Sequence, residues 1–300
     1  MIWRRGIVTR FHSNTVTIID EKTKEYCECV LRGKFKKQQI KPIVGDFVEY
    51  SIEENDVSGK IENILPQHNV LFRPKIANVD QAVLITTIKN PDVDFLIVDK
   101  FLVQAENQDL ECVIIVNKID LLKTEEEQEK LEAFINTYSN HYTVIPVSVT
   151  ENININLVKE IMHGKISTLA GMSGVGKSSL LNSLDETLEL RIGNISEKLN
   201  RGKHTTTYTE LLYLNFEAYI ADTPGFANLE IRGIDPKFLK NFFVEFYEYE
   251  PYCGFANCVH MNEPNCAVKE ALEYHEISLS RYNSYLYIYK ELEERGNKKW

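Results

Sequence analysis

The sequence predicts a multidomain α/β protein: an OB-like β-barrel first, a mostly parallel sheet in the middle, and a helical, cysteine-bearing domain last. Three observations carry this. Residues 1–70 hold five short segments of partly alternating apolar and polar residues. From residue 78 strand-like and helix-like patterns alternate, and past residue 235 three cysteines and a histidine crowd between 253 and 266. The boundaries read from these shifts are 1–70, 71–230 and 231–300. A chain of 300 residues has room for two or three domains, and 43% hydrophobic with 26% charged residues is an ordinary globular balance.

In the first segment RGIVTRF, NTVTIID, EYCECVL, DFVEYSI and GKIENIL read as strands, separated by turns near 12–14, 21–24 and 55–59. Five short strands suit a small Greek-key barrel of the OB type. Residues 32–41, RGKFKKQQIK, carry five basic residues and no acid, and read as a loop that could face a polyanion or simply be solvated. Cys27 and Cys29 lie on one face of the third strand, where small buried apolar residues are expected rather than ligands.

The middle segment alternates. VDQAVLITTI reads as a buried strand, and residues 94–107 place Phe95, Val98, Leu102 and Ala105 on one helical face. ECVIIV, the charged helix TEEEQEKLEAFINTY, YTVIPVS, the short helix NINLVKEIM and the strand KISTLA follow. Such alternation implies a parallel sheet covered by helices on both faces. LLYLNF and EAYIAD then read as a hairpin.

KISTLA delivers GMSGVGKS, residues 171–178, and SLLNSLD begins a helix after it. This fits G-x-x-x-x-G-K-[ST] in the strand–loop–helix context that the phosphate-binding loop needs. Backbone N–H groups of Gly171, Met172, Ser173, Gly174, Val175 and Gly176 would wrap the phosphates at the helix N-terminus. Lys177 would reach the outer phosphates, the Ser178 hydroxyl would ligate Mg²⁺, and Ser179 continues the cradle.

Two further stretches choose the base. Asn117, Lys118, Ile119 and Asp120 follow directly on ECVIIV, at the carboxyl end of a strand where open α/β sheets bind ligands. A carboxylate there accepts from guanine N1–H and its exocyclic amine, a donor pair that adenine lacks. Ser148, closing YTVIPVS, is placed to help hold guanine through a backbone contact. The expected ligand is therefore GTP, or its product GDP, and a P-loop ATPase or kinase is disfavoured.

Asp222, Thr223, Pro224 and Gly225 end EAYIAD. Asp222 can hold the Mg²⁺ shell and the Gly225 N–H can sense the γ-phosphate. Of the threonines in GKHTTT, residues 202–207, Thr206 is favoured as the Mg²⁺ ligand. Ordinary Ras-like GTPases run phosphate loop, switch threonine, DxxG, NKxD and then the serine loop. Here NKID and Ser148 precede the phosphate loop, so the domain is circularly permuted, a rearrangement tolerated where termini lie close together.

Cys253, Cys258, His260 and Cys266 are spaced C-x4-C-x-H-x5-C. Three thiolates and an imidazole fit a closed, tetrahedral, structural zinc site. No secretion signal is visible, so the cysteines are expected to stay reduced in the cytoplasm, and no apolar run suits a membrane. His275 reads as a spare histidine on the following helix, and the last twenty residues as a packing helix with tyrosines facing the domain.

Taken together, RPKIANVDQ at 73–81, NKID, GMSGVGKSS, RGKHTTT, DTPGF and the cysteine–histidine cluster resemble the circularly permuted, ribosome small-subunit-dependent GTPases known as RsgA, nearly end to end. The resemblance implies a GTP hydrolase stimulated by the 30S subunit and its rRNA, acting late in 30S maturation as a cytoplasmic monomer. Phe226 stands where many GTPases place a water-orienting glutamine. His204 is the nearest alternative, and the resemblance implies that it is catalytic. The competing expectation is a non-enzymatic RNA-binding module using GTP only as a ligand. A net charge of −10 is a mild objection to any RNA partner, although charge averages over domains.

Overall fold

The structure, a computed structural model, describes residues 2–12, 15–38, 40–53, 56, 58–72, 75–188, 210–222, 231 and 233–297. By contact density the chain divides into two compact units. One comprises residues 1–82, 155–169 and 178–227, the other residues 83–154, 170–177 and 228–300.

The first unit opens with a closed barrel of β1 (Ile2–His12), β2 (Thr15–Asp20), β3 (Tyr26–Leu31), β4 (Phe47–Ile52) and β5 (Ser58–Ile64), ordered β1-β2-β3-β5-β4. β3 and β5 run parallel and the other pairs antiparallel, as an OB-type Greek key demands. Alternation does the sorting: Val16, Ile18, Val48, Tyr50 and Ile61 turn inward and are essentially unexposed. The basic stretch departs from the expected loop. It forms a short helix, α1 (Gly33–Lys37), whose Phe35 is buried in the barrel core while Lys34 and Lys37 stay exposed. Arg32 of the same stretch is committed to Glu62 at 2.8 Å. Cys29 is buried and Cys27 half-buried, their sulfurs 4.0 Å apart. After the barrel comes a small hairpin, β6 (Val70–Phe72) and β7 (Lys75–Ala77).

The central sheet holds β8 (Gln81–Thr87), β9 (Glu111–Asn117), β10 (Thr143–Pro146), β11 (Ile166–Ala170), β12 (Glu210–Leu214) and β13 (Ala218–Asp222), in the order β10-β9-β8-β11-β13-β12. β9–β10 and β11–β13 are parallel, while β12–β13 is an antiparallel hairpin. The order runs outward in sequence from β8 through β9 to β10 on one side, and on the other from β11 to β13, with β12 at the edge. All seven residues of β8 are buried, as a central strand covered on both faces requires.

Four helices serve this sheet: α2 (Phe95–Glu106), α3 (Glu125–Tyr138), α4 (Ile155–Met162) and α5 (Lys177–Leu184). α2 begins at Asp94, whose carboxylate accepts from Ile97 N–H, and buries Val98, Phe101, Leu102 and Ala105, close to the predicted face. α3 starts in a complete capping box between Thr124 and Glu127, and of its fourteen residues only Phe134 and Tyr138 are buried.

In the second unit the C-terminal segment runs through 3₁₀ turns at 236–242, 244–246 and 250–252 into α6 (Ala267–Glu273) and α7 (Leu279–Asn297). Tyr282, Tyr285 and Tyr289 of α7 face the core beside Phe243 and Phe246, as the tail pattern suggested. His275 lies just past the end of α6 rather than on a helix, with φ +60°. The fully buried Arg281 donates to Asp99 at 2.7 Å and to Glu245 at 2.6 and 2.8 Å, and stacks on Phe243. Removing one member of such a buried network costs about 3–5 kcal/mol, because an uncompensated charge is left behind. Among the described residues no helix is long and apolar enough to cross a membrane.

Candidate nucleotide site and metal cluster

β9 ends in Asn117, and β11 runs straight into the glycine loop; NKID and the loop through Lys177 lie in the same unit. They are joined by hydrogen bonds. Asn117 Nδ2 donates to Val175 O at 2.9 Å, and Lys118 Nζ donates to Gly174 O and to Asn90 O, both at 2.6 Å. The Lys118 N–H is held by its neighbour's Oδ1 at 2.8 Å, and Lys118 itself sits at φ +66°. A lysine in that region is uncommon and marks a site where surrounding contacts fix the backbone. Ile119 continues the turn, its N–H on Val147 O at 3.2 Å.

The loop tolerates no side chain at its close approaches. Gly176 has φ +94°, and a Cβ there would sit 2.4 Å from Asn117 Nδ2. At Gly171 a Cβ would meet Ile85 O at 2.4 Å. Glycine is required at both positions. Val175 is buried as the anchor of the loop, whereas Met172, Ser173 and Gly174 are exposed. Lys177 Nζ folds over the loop onto Gly171 O at 2.6 Å and Met172 O at 2.8 Å. Burial lowers the pKa of its ammonium, and an anion beside it would raise it again. Ser178 and Ser179 stand exposed in the first turn of α5.

Asp120 is fixed from a second loop. Ser148 Oγ donates to Asp120 Oδ1 at 2.6 Å and is itself held by Glu151 N–H at 3.1 Å. The Ser148 N–H points at Ile153 O, 3.3 Å away, so the polar work of Ser148 in this structure is done by its side chain. Thr150, 3.3 Å from Ser148 Oγ, also bonds the carboxylate. Ser148 first, then Thr150, hold the Asp120 pKa below the usual carboxylate value despite some burial. An ionised, oriented carboxylate is the acceptor that a guanine edge needs. Thr150 and Asn90 carry no sequence signal beyond their distance from known motifs.

Asp222 ends β13, paired through its backbone with Glu210. The Asp222 side chain, Gly225, Phe226, His204 and Thr206 lie outside the described residues.

The four candidate metal ligands converge. One donor atom from each of Cys253, Cys258, His260 and Cys266 lies within 4.8 Å of all the others. Cys253 and Cys266 sulfurs are 4.0 Å apart, and His260 Nδ1 lies 3.7 and 3.4 Å from them. A tetrahedral zinc with ordinary bond lengths would space sulfurs about 3.8 Å and sulfur–nitrogen pairs about 3.6 Å apart, so the donor set fits that ion. Nδ1 would be the ligating nitrogen, since Nε2 is buried without a hydrogen-bond partner and the ring packs edge-on against Phe246. Burial holds His260 below its ordinary pKa, in the neutral form a ligand must have.

The loop carrying these ligands is braced on both sides. Glu263 accepts from the N–H groups of Val259, Met261 and Asn262 at 2.7–3.0 Å. Tyr282 and Tyr285 donate to His260 O and Val259 O, both at 2.6 Å. The only advance sign of Glu263 was an acid inside the ligand spacing.

The RsgA GTPase family profile matches residues 64–232, and the RsgA N-terminal domain profile matches residues 5–61. This chain belongs to the RsgA GTPase family. A relative from Thermotoga maritima, described as small ribosomal subunit biogenesis GTPase RsgA, is 49% identical over 98% of this chain and 99% of its own length. One of the same description from Ruminiclostridium cellulolyticum is 40% identical over 96% and 94%. The solved structure of YjeQ from Thermotoga maritima superposes with a TM-score of 0.82 at 46% identity, covering 97% of this chain and 99% of that one. YloQ, described as a circularly permuted GTPase, superposes with a TM-score of 0.81 at 32% identity over 98% and 96%. The motif order, NKID before the glycine loop, thus sits within an RsgA fold of matching length.

Proposed function

We infer that this chain is a GTP hydrolase acting in late maturation of the small ribosomal subunit, stimulated by the 30S particle and released on hydrolysis. The observation that supports the reading most is the pair of hydrogen bonds from Asn117 and Lys118 to the carbonyls of Val175 and Gly174 in the glycine loop. In this reading Asp120, held by Ser148, accepts from guanine. Asn117 and Lys118 brace the loop, and the N–H groups of residues 171–176 with Lys177 take the phosphates.

Mg²⁺ when bound neutralises charge on the β- and γ-phosphates; Ser178, whose oxygen suits a hard cation, would hold it with Thr206 and Asp222 nearby. Gly225 senses the γ-phosphate. His204 orients the attacking water, since Phe226 cannot hydrogen-bond it. Zinc at Cys253, Cys258, His260 and Cys266 is structural, because four protein donors leave no open position. The division of labour follows residues 1–70 for rRNA, 71–230 for GTP and 231–300 for the metal. The exposed lysines of α1 offer phosphate contacts, and the protein works as a monomer in the cytoplasm.

The test is GTP turnover at fixed enzyme with and without purified 30S subunits, with ATP and 50S subunits as controls. Stimulation by 30S, for GTP alone, is expected. Tight GTP binding with a flat response would replace this reading by a passive RNA-binding module, and ATP turnover would overturn the guanine assignment.

A further inference from the structure

The metal knuckle presents a surface that neither nucleotide binding nor the core uses. Tyr252 is 79% exposed, Tyr274 70% and Phe255 52%. Two of them flank the ligand Cys253 and the third follows α6. The two segments lie side by side: the turn at 250–252 packs against α6, and the Tyr249 hydroxyl bonds Glu276 just beyond that helix. Exposed large aromatics gathered on one surface mark an interaction site rather than ordinary surface.

The charge on this face is one-sided. Residues 245–276 contain seven acids and a single lysine, with no arginine. Glu245 is consumed by Arg281, Glu250 by Lys240 and Glu263 by the loop amides. Glu248, Glu273 and Glu276 are exposed beside the aromatics. RNA binding draws its affinity from lysines and arginines set against phosphates, and this face offers carboxylates instead. Tyrosine and phenylalanine faces attract ammonium and guanidinium groups, and carboxylates pair with the same groups. Both features select a cation.

We propose that the aromatic, acidic face formed by residues 248–255 and 273–276 docks a lysine- and arginine-rich polypeptide segment. The knuckle, braced by Glu263 and by the α7 tyrosines, holds that face in place, so little ordering entropy is lost on docking. The partner on this side of the molecule is protein, whatever RNA the barrel contacts.

The experiment titrates the full-length, zinc-loaded chain into a fluorescent lysine- and arginine-rich peptide, and separately into a fluorescent single-stranded RNA oligonucleotide. Three chains are compared with wild type: Glu248→Gln/Glu273→Gln/Glu276→Gln; Tyr252→Ser/Tyr274→Ser; and Glu125→Gln/Glu129→Gln/Glu132→Gln, which removes as much charge from exposed positions on α3. Wild type and the α3 variant should bind the peptide alike, weakening as salt rises. The two knuckle variants should bind it about tenfold more weakly, as several rim contacts together allow. All the substituted side chains are exposed, so zinc content and melting temperature should be unchanged. Equal losses in the α3 variant would mean that the peptide follows net charge, and the face assignment falls. Failure of wild type to bind the peptide also overturns the proposal. Loss of RNA rather than peptide in the tyrosine variant would make the face an RNA stacking platform instead.

Discussion

Ser148 and Thr150 act on the base site through a single carboxylate. Asp120 is half-buried, and the hydroxyls of Ser148 and Thr150 hold its carboxylate in one orientation. A hydrogen bond to a charged group contributes about 1.5–3 kcal/mol. Ser148→Ala should therefore weaken GTP and GDP binding by about tenfold or more, and Thr150→Val by less, with no gain for ATP. Calorimetric titration of each variant with GDP and ADP checks this; unchanged GDP affinity in Ser148→Ala would dismiss the hydroxyl's role. Asn117, Lys118 and Asp120 were legible in the sequence because N-K-x-D directly after an apolar strand is a recognisable pattern. Thr150 was not, since a threonine two places past a serine is commonplace. Its position comes from the tight turn in which Ile153 N–H donates to Ser148 O at 2.9 Å.

At the scale of elements, legibility followed length and periodicity. The five barrel strands, α2 and α3 each repeat their apolar spacing often enough to be read, and they lie where the pattern put them. The hairpin of β6 and β7 has three residues per strand, too few to show a period. α1 reads as a loop because its helical evidence is one apolar residue, Phe35, among lysines; burial of Phe35 in the barrel core is what the sequence does not show.

The start of α3 supports a pH prediction. Glu127 accepts from Lys89 at 2.5 Å and from the N–H groups of Lys123 and Thr124. These bonds, the one to Lys89 foremost, pull its pKa down to about 2. A carboxylate depressed in the fold supports it fully above the unfolded value near 4.5, and that support drains away as pH falls through about 2. Carbon-detected NMR titration should find the Glu127 carboxylate still ionised well below 4.5. A midpoint near 4.5 would show that the capping box and the Lys89 bond are not formed in solution.

Among the described residues the molecule has separate hydrophobic centres, and one of them includes candidate metal ligands. The barrel core gathers Val8, Val16, Ile18, Val48, Tyr50 and Ile61 and contains no ligand residue of the metal cluster. The C-terminal core, in the other unit, includes the ligands Cys258 and Cys266 beside Phe243, Phe246 and Tyr285. α7 reaches the ligand loop through Tyr282 and Tyr285, and reaches α2 through Arg281. Structural zinc contributes roughly 10–16 kcal/mol in small metal-dependent folds, as much as the whole stability of a typical domain, about 5–15 kcal/mol. Withdrawing it leaves a buried imidazole and thiols with no counterpart, so this core should not survive, whereas the barrel has no reason to notice. Chelation should therefore abolish the near-ultraviolet dichroism of the α7 tyrosines and split the calorimetric melt in two, with the barrel transition left at its original temperature. Metal content measured alongside decides the reading: zinc fully removed with one unchanged transition would mean that the cluster is held by its own packing and the ion is incidental.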